Sequence, residues 1–136
     1  MKVTKLEHAT LILEQDGDRA VIDPGSYTRP LTGLSNVRAV VMTHMHDDHC
    51  FEEQLDRIVA ENTNALLFGT DDVRQRLAES RPQLAVTSVH HGDYHVVGNF
   101  TFEFFGDMHK EIHHSIPVIQ NCGVMVNDLL YYPGDS

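Results

Sequence analysis

A chain of 136 residues with 41% apolar residues is long enough to bury one hydrophobic core, which predicts a single domain over residues 1–136. Its net charge of −10 disfavours binding through nucleic-acid phosphates, and its apolar runs fall short of the ~20 residues that a membrane-spanning helix needs. Because no signal-peptide pattern precedes the first strand-like segment, we expect a cytoplasmic protein in which Cys50 and Cys122 stay reduced.

The first third of the chain predicts strands that are separated by turns. Strand-like patterns cover residues 3–6, 10–14, 20–22 and 39–42. Asp16-Gly17-Asp18 predicts a hairpin turn, and Asp23-Pro24-Gly25 predicts a turn at the end of the third strand. The fourth strand is a continuous apolar run, which is typical of a strand buried on both faces.

Two helices are predicted in the middle of the chain, over residues 51–60 and 71–79, with Thr70 as the N-cap of the second. A buried strand is predicted between them, over residues 65–68. The remaining strand patterns predict an antiparallel meander over residues 84–89, 94–97, 100–105, 124–126 and 129–132. Strands mixed with helices in this way predict an α/β or α+β domain.

Ten histidines are the compositional anomaly, and nine of them fall in three clusters, within residues 44–49, 90–95 and 109–114. The first cluster follows the buried strand and offers four ligands in six positions: His44, His46, Asp48 and His49. Two residues apart, His44 and His46 point the same way in an extended backbone. Imidazole and carboxylate are zinc ligands, and two ions ~3.5–4 Å apart can share such a cluster. The loop therefore predicts a metal site.

This stretch resembles the H-x-H-x-D-H motif of the metallo-β-lactamase superfamily. Three further segments are similar to the strand-end Asp, the later G-D-S/T element and the G-H-S opening of the subgroup that includes L-ascorbate-6-phosphate lactonase: Ile22-Asp23-Pro24-Gly25, Pro133-Gly134-Asp135-Ser136 and Leu6-Glu7-His8-Ala9-Thr10. The resemblance implies an αββα sandwich, of which this chain holds the N-terminal half and part of the second half.

The resemblance also implies the roles of the ligands. His44 and His46 would bind the first metal ion, Asp48 and His49 the second, and Asp135 would bridge the two. The first ion needs a third histidine, for which His109 and His113 both fit. His113 is favoured because the His-x-Ser-Ile-Pro sequence that begins there looks like the His-Ser loop of the subgroup.

The chemistry that this site would support is hydrolysis. A zinc pair lowers the pKa of bound water towards ~7, so that hydroxide can attack a small ester, lactone, amide or phosphodiester. Asp48 can also orient the nucleophile and accept its proton, which makes it the catalytic candidate. Diiron redox relatives of this fold have a carboxylate at the middle position of the motif, where this chain has His46. Zinc is expected, although manganese or iron suits the same ligands.

The last ligand of the superfamily, a C-terminal histidine on the second metal ion, would follow Asp135, and the chain stops at Ser136. We therefore expect a fragment whose C-terminal part is missing. The alternative is an inactive or partner-dependent metal-binding module that lacks a complete second site, and unfinished sheet edges would then favour a homo-oligomer. A flavin-linked redox enzyme is a third interpretation, which would require a cofactor domain.

Several other polar residues have less specific interpretations. Asp23 is expected to orient a ligand histidine, and His8 either lines the site or makes a structural hydrogen bond. Asp47 is expected to contact a metal ligand at most, and not to bind a metal ion itself. Cys50 is expected to be a buried thiol, and His90, His91 and His95 are expected to lie outside the metal site.

Overall fold

The computed structural model describes residues 1–106 and 119–135 and arranges them as two packed sheets with helices on one outer face. In this part of the chain the strands are β1 (Lys2–Lys5), β2 (Leu11–Gln15), β3 (Asp18–Ile22), β4 (Val37–Met42), β5 (Leu66–Gly69), β6 (Val86–Ser88), β7 (Tyr94–Val97), β8 (Phe100–Phe105), β9 (Gly123–Val126) and β10 (Leu130–Tyr132). The helices are α1 (Glu52–Glu61) and α2 (Asp71–Ser80).

The first sheet has the strand order β1-β2-β3-β4-β5-β6. Its first three strands are antiparallel, and β3 to β6 are parallel. The predicted hairpin between β2 and β3 is confirmed, with Gln15 paired to Asp18. Asp16 and Gly17 both have positive φ, +50° and +87°, as a two-residue turn of type I′ requires.

One prediction about the sheets is wrong. Residues 84–89 were expected to open the antiparallel meander, whereas β6 pairs in parallel with β5 at the edge of the first sheet. The physical reason is α2, which carries the chain back across the sheet so that β6 runs in the same direction as β5. The other four strands of the predicted meander do form an antiparallel sheet, in the order β10-β9-β8-β7.

The core lies in two layers on either side of the first sheet. Alternate residues of β8, Phe100, Phe102 and Phe104, are completely buried against the inner face of the first sheet. On its other face, Leu55 of α1 and Leu77 of α2 are equally buried. The helix–sheet–sheet arrangement confirms the predicted fold class.

Both helices lie where the sequence predicted them, within one residue at each end. Thr70 occupies the N-cap position of α2, but its hydroxyl bonds to the Asp72 carboxylate and makes no capping bond to the backbone. Within residues 1–106 and 119–135, neither helix is long and apolar enough to cross a membrane.

Candidate metal centre

The candidate site forms where the parallel strands β3 and β4 end side by side, since Ile22 is paired with Val41. Asp23 follows β3 and Thr43 follows β4, so their side chains meet at the carboxyl edge of the sheet. In open α/β sheets this edge is the usual place for a binding site. Residues 43–49, which we call the metal loop, leave the sheet here and lead into α1.

A buried carboxylate organises the loop. Asp23 accepts hydrogen bonds from the Thr43 backbone N–H (2.7 Å to Oδ1) and from the Thr43 hydroxyl (2.6 Å to Oδ2). The Nδ1 atom of His49 lies 2.6 Å from the same Oδ2. Because a carboxylate only accepts, the proton of the neutral His49 ring lies on Nδ1, and Nε2 keeps its lone pair for a metal. Asp23 thus contacts a histidine of the motif, and that this histidine binds a metal ion remains a prediction.

The same network orients His44. Its Nδ1 lies 3.2 Å from the Thr43 hydroxyl, which already donates its own proton to Asp23 and can only accept from the ring. The lone pair of neutral His44 therefore lies on Nε2. Burial lowers the pKa of His44 to about 3, with a further contribution from the neighbouring His49, so the ring is neutral at pH 7. A neutral imidazole is the form that binds metal ions.

Asp48 lies between two histidines on the exposed side of the site. Its Oδ2 is 2.7 Å from His8 Nε2 and 3.5 Å from His49 Nε2. Burial raises the pKa of the Asp48 carboxyl, but the hydrogen bond to His8 and the electrostatic attraction of the nearby His49 imidazole outweigh burial, so the pKa lies below its usual value. The carboxylate is ionised at neutral pH and can act as a ligand or a proton acceptor.

The structure brings together all four motif residues that the sequence singled out. Within the described residues, three overlapping groups have donor atoms that all lie within 4.8 Å of one another: His44, His46 and Asp48; Asp23, His44 and His49; and His8, Asp48 and His49. Imidazole and carboxylate donors at this spacing suit zinc, manganese or iron. That these residues bind metal ions remains a prediction.

Asp135 reaches the same place from the second sheet. Its Oδ2 lies 3.7 Å from His44 Nε2. The turn that carries it is held by buried Asn121, whose Oδ1 accepts from the Asp135 backbone N–H (3.0 Å) and whose Nδ2 donates to the Pro133 carbonyl (2.9 Å). Gly134 has φ +74°, and a Cβ atom there would lie 2.4 Å from Asn121 Oδ1, so the turn requires glycine.

His109 and His113 fall in residues 107–118, which lie outside the described part of the chain, and the choice between them stays a prediction. His90, His91 and His95 make their contacts outside the metal loop, as expected. His90 pairs with Asp71 at 3.0 Å, and the His95 ring packs 4.8 Å from the Phe68 ring.

Two contacts that the sequence analysis missed fix the metal loop from outside. Gly25 lies so close to it that an added Cβ would be 1.9 Å from the carbonyl oxygen of Asp48. Arg76 of α2 holds the loop by its side chain, which bonds to the Met45 carbonyl and pairs with Asp47 (2.7 Å) and Glu52 (2.5 Å). The sequence marked Gly25 only as part of a turn and did not mark Arg76, because both act through contacts that only the fold creates.

A cavity of about 560 Å³ opens beside the metal loop. It lies within the usual range of ~300–1,000 Å³ for sites that hold small molecules. Its lining combines polar and apolar groups, namely Ser26, Tyr27, Met45, His46, Asp47, Asp48 and Arg76.

Comparison with known proteins assigns this geometry to a family. The profile of the beta-lactamase superfamily domain matches residues 2–136. Protein Rv0786c from Mycobacterium tuberculosis is 31% identical over 141 aligned positions, which cover 100% of this chain and 64% of that protein. The chain therefore spans just under two thirds of the length of this curated relative.

Two solved structures share the fold at low sequence identity. Igni18, a metallo hydrolase from Ignicoccus hospitalis, has a TM-score of 0.65 at 19% identity, and the match covers 98% of this chain and 60% of the Igni18 chain. CmlA, a diiron beta-hydroxylase from Streptomyces venezuelae, has a TM-score of 0.71 at 16% identity, and the match covers 98% of this chain and 29% of the CmlA chain. With a family profile that matches residues 2–136, the chain belongs to the beta-lactamase superfamily.

Proposed function

We propose that this chain carries the metal site of a hydrolase that uses two metal ions, in the first place zinc, to cleave a small ester, lactone or phosphodiester. The observation that carries the proposal is the convergence of His44, His46, Asp48 and His49, whose donor atoms form overlapping groups within 4.8 Å. Because the chain spans 64% of its mycobacterial relative, the proposal concerns the activity of the whole protein.

The ligand assignment follows the contacts. His44 and His46 share one group of donor atoms with Asp48, and Asp48 and His49 share another with His8. The groups are compatible with one ion for each pair, and the division into pairs follows the resemblance to the superfamily motif. Asp135 lies 3.7 Å from His44 Nε2 and faces the loop from the second sheet, which supports its role as the bridging carboxylate. His109 or His113 would complete the first set.

When bound, a pair of divalent ions lowers the pKa of water and polarises the scissile carbonyl or phosphoryl group. The Asp48 carboxylate, ionised and partly exposed at the cavity, can accept the proton of the attacking water and orient it. Asp23 and Thr43 hold the rings of His44 and His49 with Nε2 towards the site. The surrounding residues therefore position the ligands before any ion binds.

The cavity supports a small substrate. Its volume of about 560 Å³ and its position against His46 and Asp48 suit a compact molecule better than a polymer. The lactone and phosphodiester classes rest on the resemblance to the subgroup that includes L-ascorbate-6-phosphate lactonase. His46, at the position where diiron redox relatives have a carboxylate, favours hydrolysis over oxygen chemistry.

The test combines metal counting with hydrolysis. The protein is purified without chelator, its metals are counted by plasma mass spectrometry, and lactones and phosphodiesters are screened as substrates. A His46→Ala/Asp48→Ala variant should lose metal and activity. A His90→Ala/Asp93→Ala variant also removes one histidine and one aspartate, but away from the metal loop. It should retain metal and activity. Absence of metal in the parent, or equal metal content in the two variants, would overturn the proposal.

A further inference from the structure

We propose that His8 is a further protein ligand of the second metal ion, beside Asp48, His49 and the bridging Asp135. The proposal rests on the proposed function, because it assigns a further ligand to the same centre. It gives that ion three protein ligands from residues 1–49, on the exposed side of the site.

The geometry of the three donor atoms supports this assignment. The Nε2 atoms of His8 and His49 lie 2.7 Å and 3.5 Å from Asp48 Oδ2, and all three donor atoms lie within 4.8 Å of one another. A tetrahedral ion with bonds of ~2.1 Å separates its ligand atoms by about 3.4 Å. His49 and Asp48 already have this separation, and the hydrogen bond between His8 and Asp48 would need to open by only about 0.7 Å. As the ion binds, the proton on His8 Nε2 would be exchanged through solvent for one on Nδ1, so that the neutral ring offers its Nε2 lone pair.

The backbone around His8 is held in place on both sides. Leu6 and Thr10 close the loop with a backbone hydrogen bond of 2.9 Å. The carbonyl of Glu7 accepts from the Thr28 hydroxyl at 2.8 Å, and the carbonyl of Ala9 accepts from the Tyr132 hydroxyl at 3.1 Å. A side chain whose two neighbours are both fixed is pre-organised for binding, which limits the entropy lost when a ligand is captured.

The conformation of His8 also indicates a functional role. Its φ is +59°, in the left-handed region that is strained for a non-glycine residue. Such strain is concentrated at functional sites. Its side chain is 41% exposed, and exposed pairs with a carboxylate contribute little to stability. The His8–Asp48 contact therefore contributes little to the stability of the fold, and a role in metal binding explains its presence better.

The experiment is a cobalt titration of the full chain, followed by visible absorption and by the number of Co²⁺ ions retained. His8→Gln places an amide donor near the original Nε2, so it keeps a hydrogen bond to Asp48 but removes a good metal ligand. His8→Asn tolerates the positive φ and controls for the turn. His90→Gln is the matched control, because His90 is also exposed and also bonded to a carboxylate.

In the parent and in His90→Gln we expect two Co²⁺ ions. In both His8 variants the first ion should bind as before and the second should bind at least about 100-fold more weakly, with a changed absorption spectrum. Two ions bound with parent affinity in His8→Gln would overturn the His8 assignment and leave the hydrolase proposal standing. Failure of the parent to bind any ion would overturn both.

Discussion

His49 Nδ1 lies 2.6 Å from Asp23 Oδ2, and this contact joins the end of β3 to the metal loop that follows β4. The carboxylate belongs to the turn and the imidazole to the loop, so the pairing of two parallel strands sets the orientation of a motif histidine. Asp23 is completely buried and has φ +52°, a conformation that the surrounding bonds impose.

The first prediction concerns this carboxylate. Asp23→Asn should lower the affinity for metal about 10–100-fold, since an amide cannot accept from Thr43 and His49 with both of its terminal atoms. Isothermal titration with Zn²⁺ measures the change. Asp16→Asn, in the exposed hairpin turn, is the control and should bind metal like the parent. Equal affinities in the two variants would show that Asp23 does not orient the ligands.

The close approach of Gly25 to the metal loop gives a second prediction. Gly25→Ala should displace the Asp48 backbone, because the new Cβ would meet the Asp48 carbonyl oxygen at 1.9 Å. We expect metal content to fall, and the melting temperature with it. Gly17→Asn is the control, since open space surrounds Gly17 and asparagine tolerates positive φ. A Gly25→Ala protein with parent metal content would contradict the packing described here.

Asn121 gives a third prediction, because it holds the turn of Asp135. Asn121→Ala should destabilise the fold by about 1–3 kcal/mol, since it removes two hydrogen bonds from a buried site. It should also weaken metal binding, because Asp135 would no longer be held beside His44. Denaturant unfolding and metal titration measure the two effects. Asn64→Ala, at an exposed position, should change neither.

The two cysteines give a fourth prediction. Both are buried thiols that form no disulfide, and burial raises the pKa of Cys50 to about 12. Because the thiolate is the reactive form, neither thiol should react with an aromatic disulfide reagent in the native protein. Both should react in denaturant. Rapid labelling of the native chain would contradict the packing of Cys50 beneath the metal loop.

A fifth prediction follows from the Glu7–Arg29 pair, which anchors the loop of His8. The hydrogen bonds from Arg29 lower the pKa of Glu7 to about 2, from 4.5. A depressed carboxyl pKa gives stability that is complete above pH 4.5 and disappears as pH falls towards 2. Parent and Glu7→Gln should therefore differ in urea midpoint at pH 7 and converge as the pH falls from about 4.5 towards 2. Glu61→Gln, at an exposed position, controls for the change in net charge.

The sequence predicted those features that local patterns encode. The apolar spacing of Phe51, Leu55 and Ile58 predicted α1 within one residue, and the two-residue spacing of His44 and His46 after a buried strand marked the metal loop. These signals need only the period of a helix or a strand.

The features that escaped prediction depend on partners far along the chain. The alternation in residues 84–89 indicates a strand but does not say which sheet it joins, and β6 was assigned to the wrong one. Asn121 looks like any loop asparagine until Pro133 and Asp135 are placed beside it. The roles of His109 and His113 stay predictions for the same reason, since their contacts depend on the fold around them.

The hydrogen bond from the Cys122 backbone N–H to the Thr43 carbonyl, 2.9 Å long, ties the second sheet to the start of the metal loop. On the ribosome, the loop emerges well before Cys122 and Asp135 do. A nascent chain that has reached only β6 would present the four motif ligands with neither the Asp135 carboxylate nor the covering sheet. Contacts between such distant residues also form slowly. Stable loading with metal is therefore expected to be a late event in biogenesis, after the second sheet has docked.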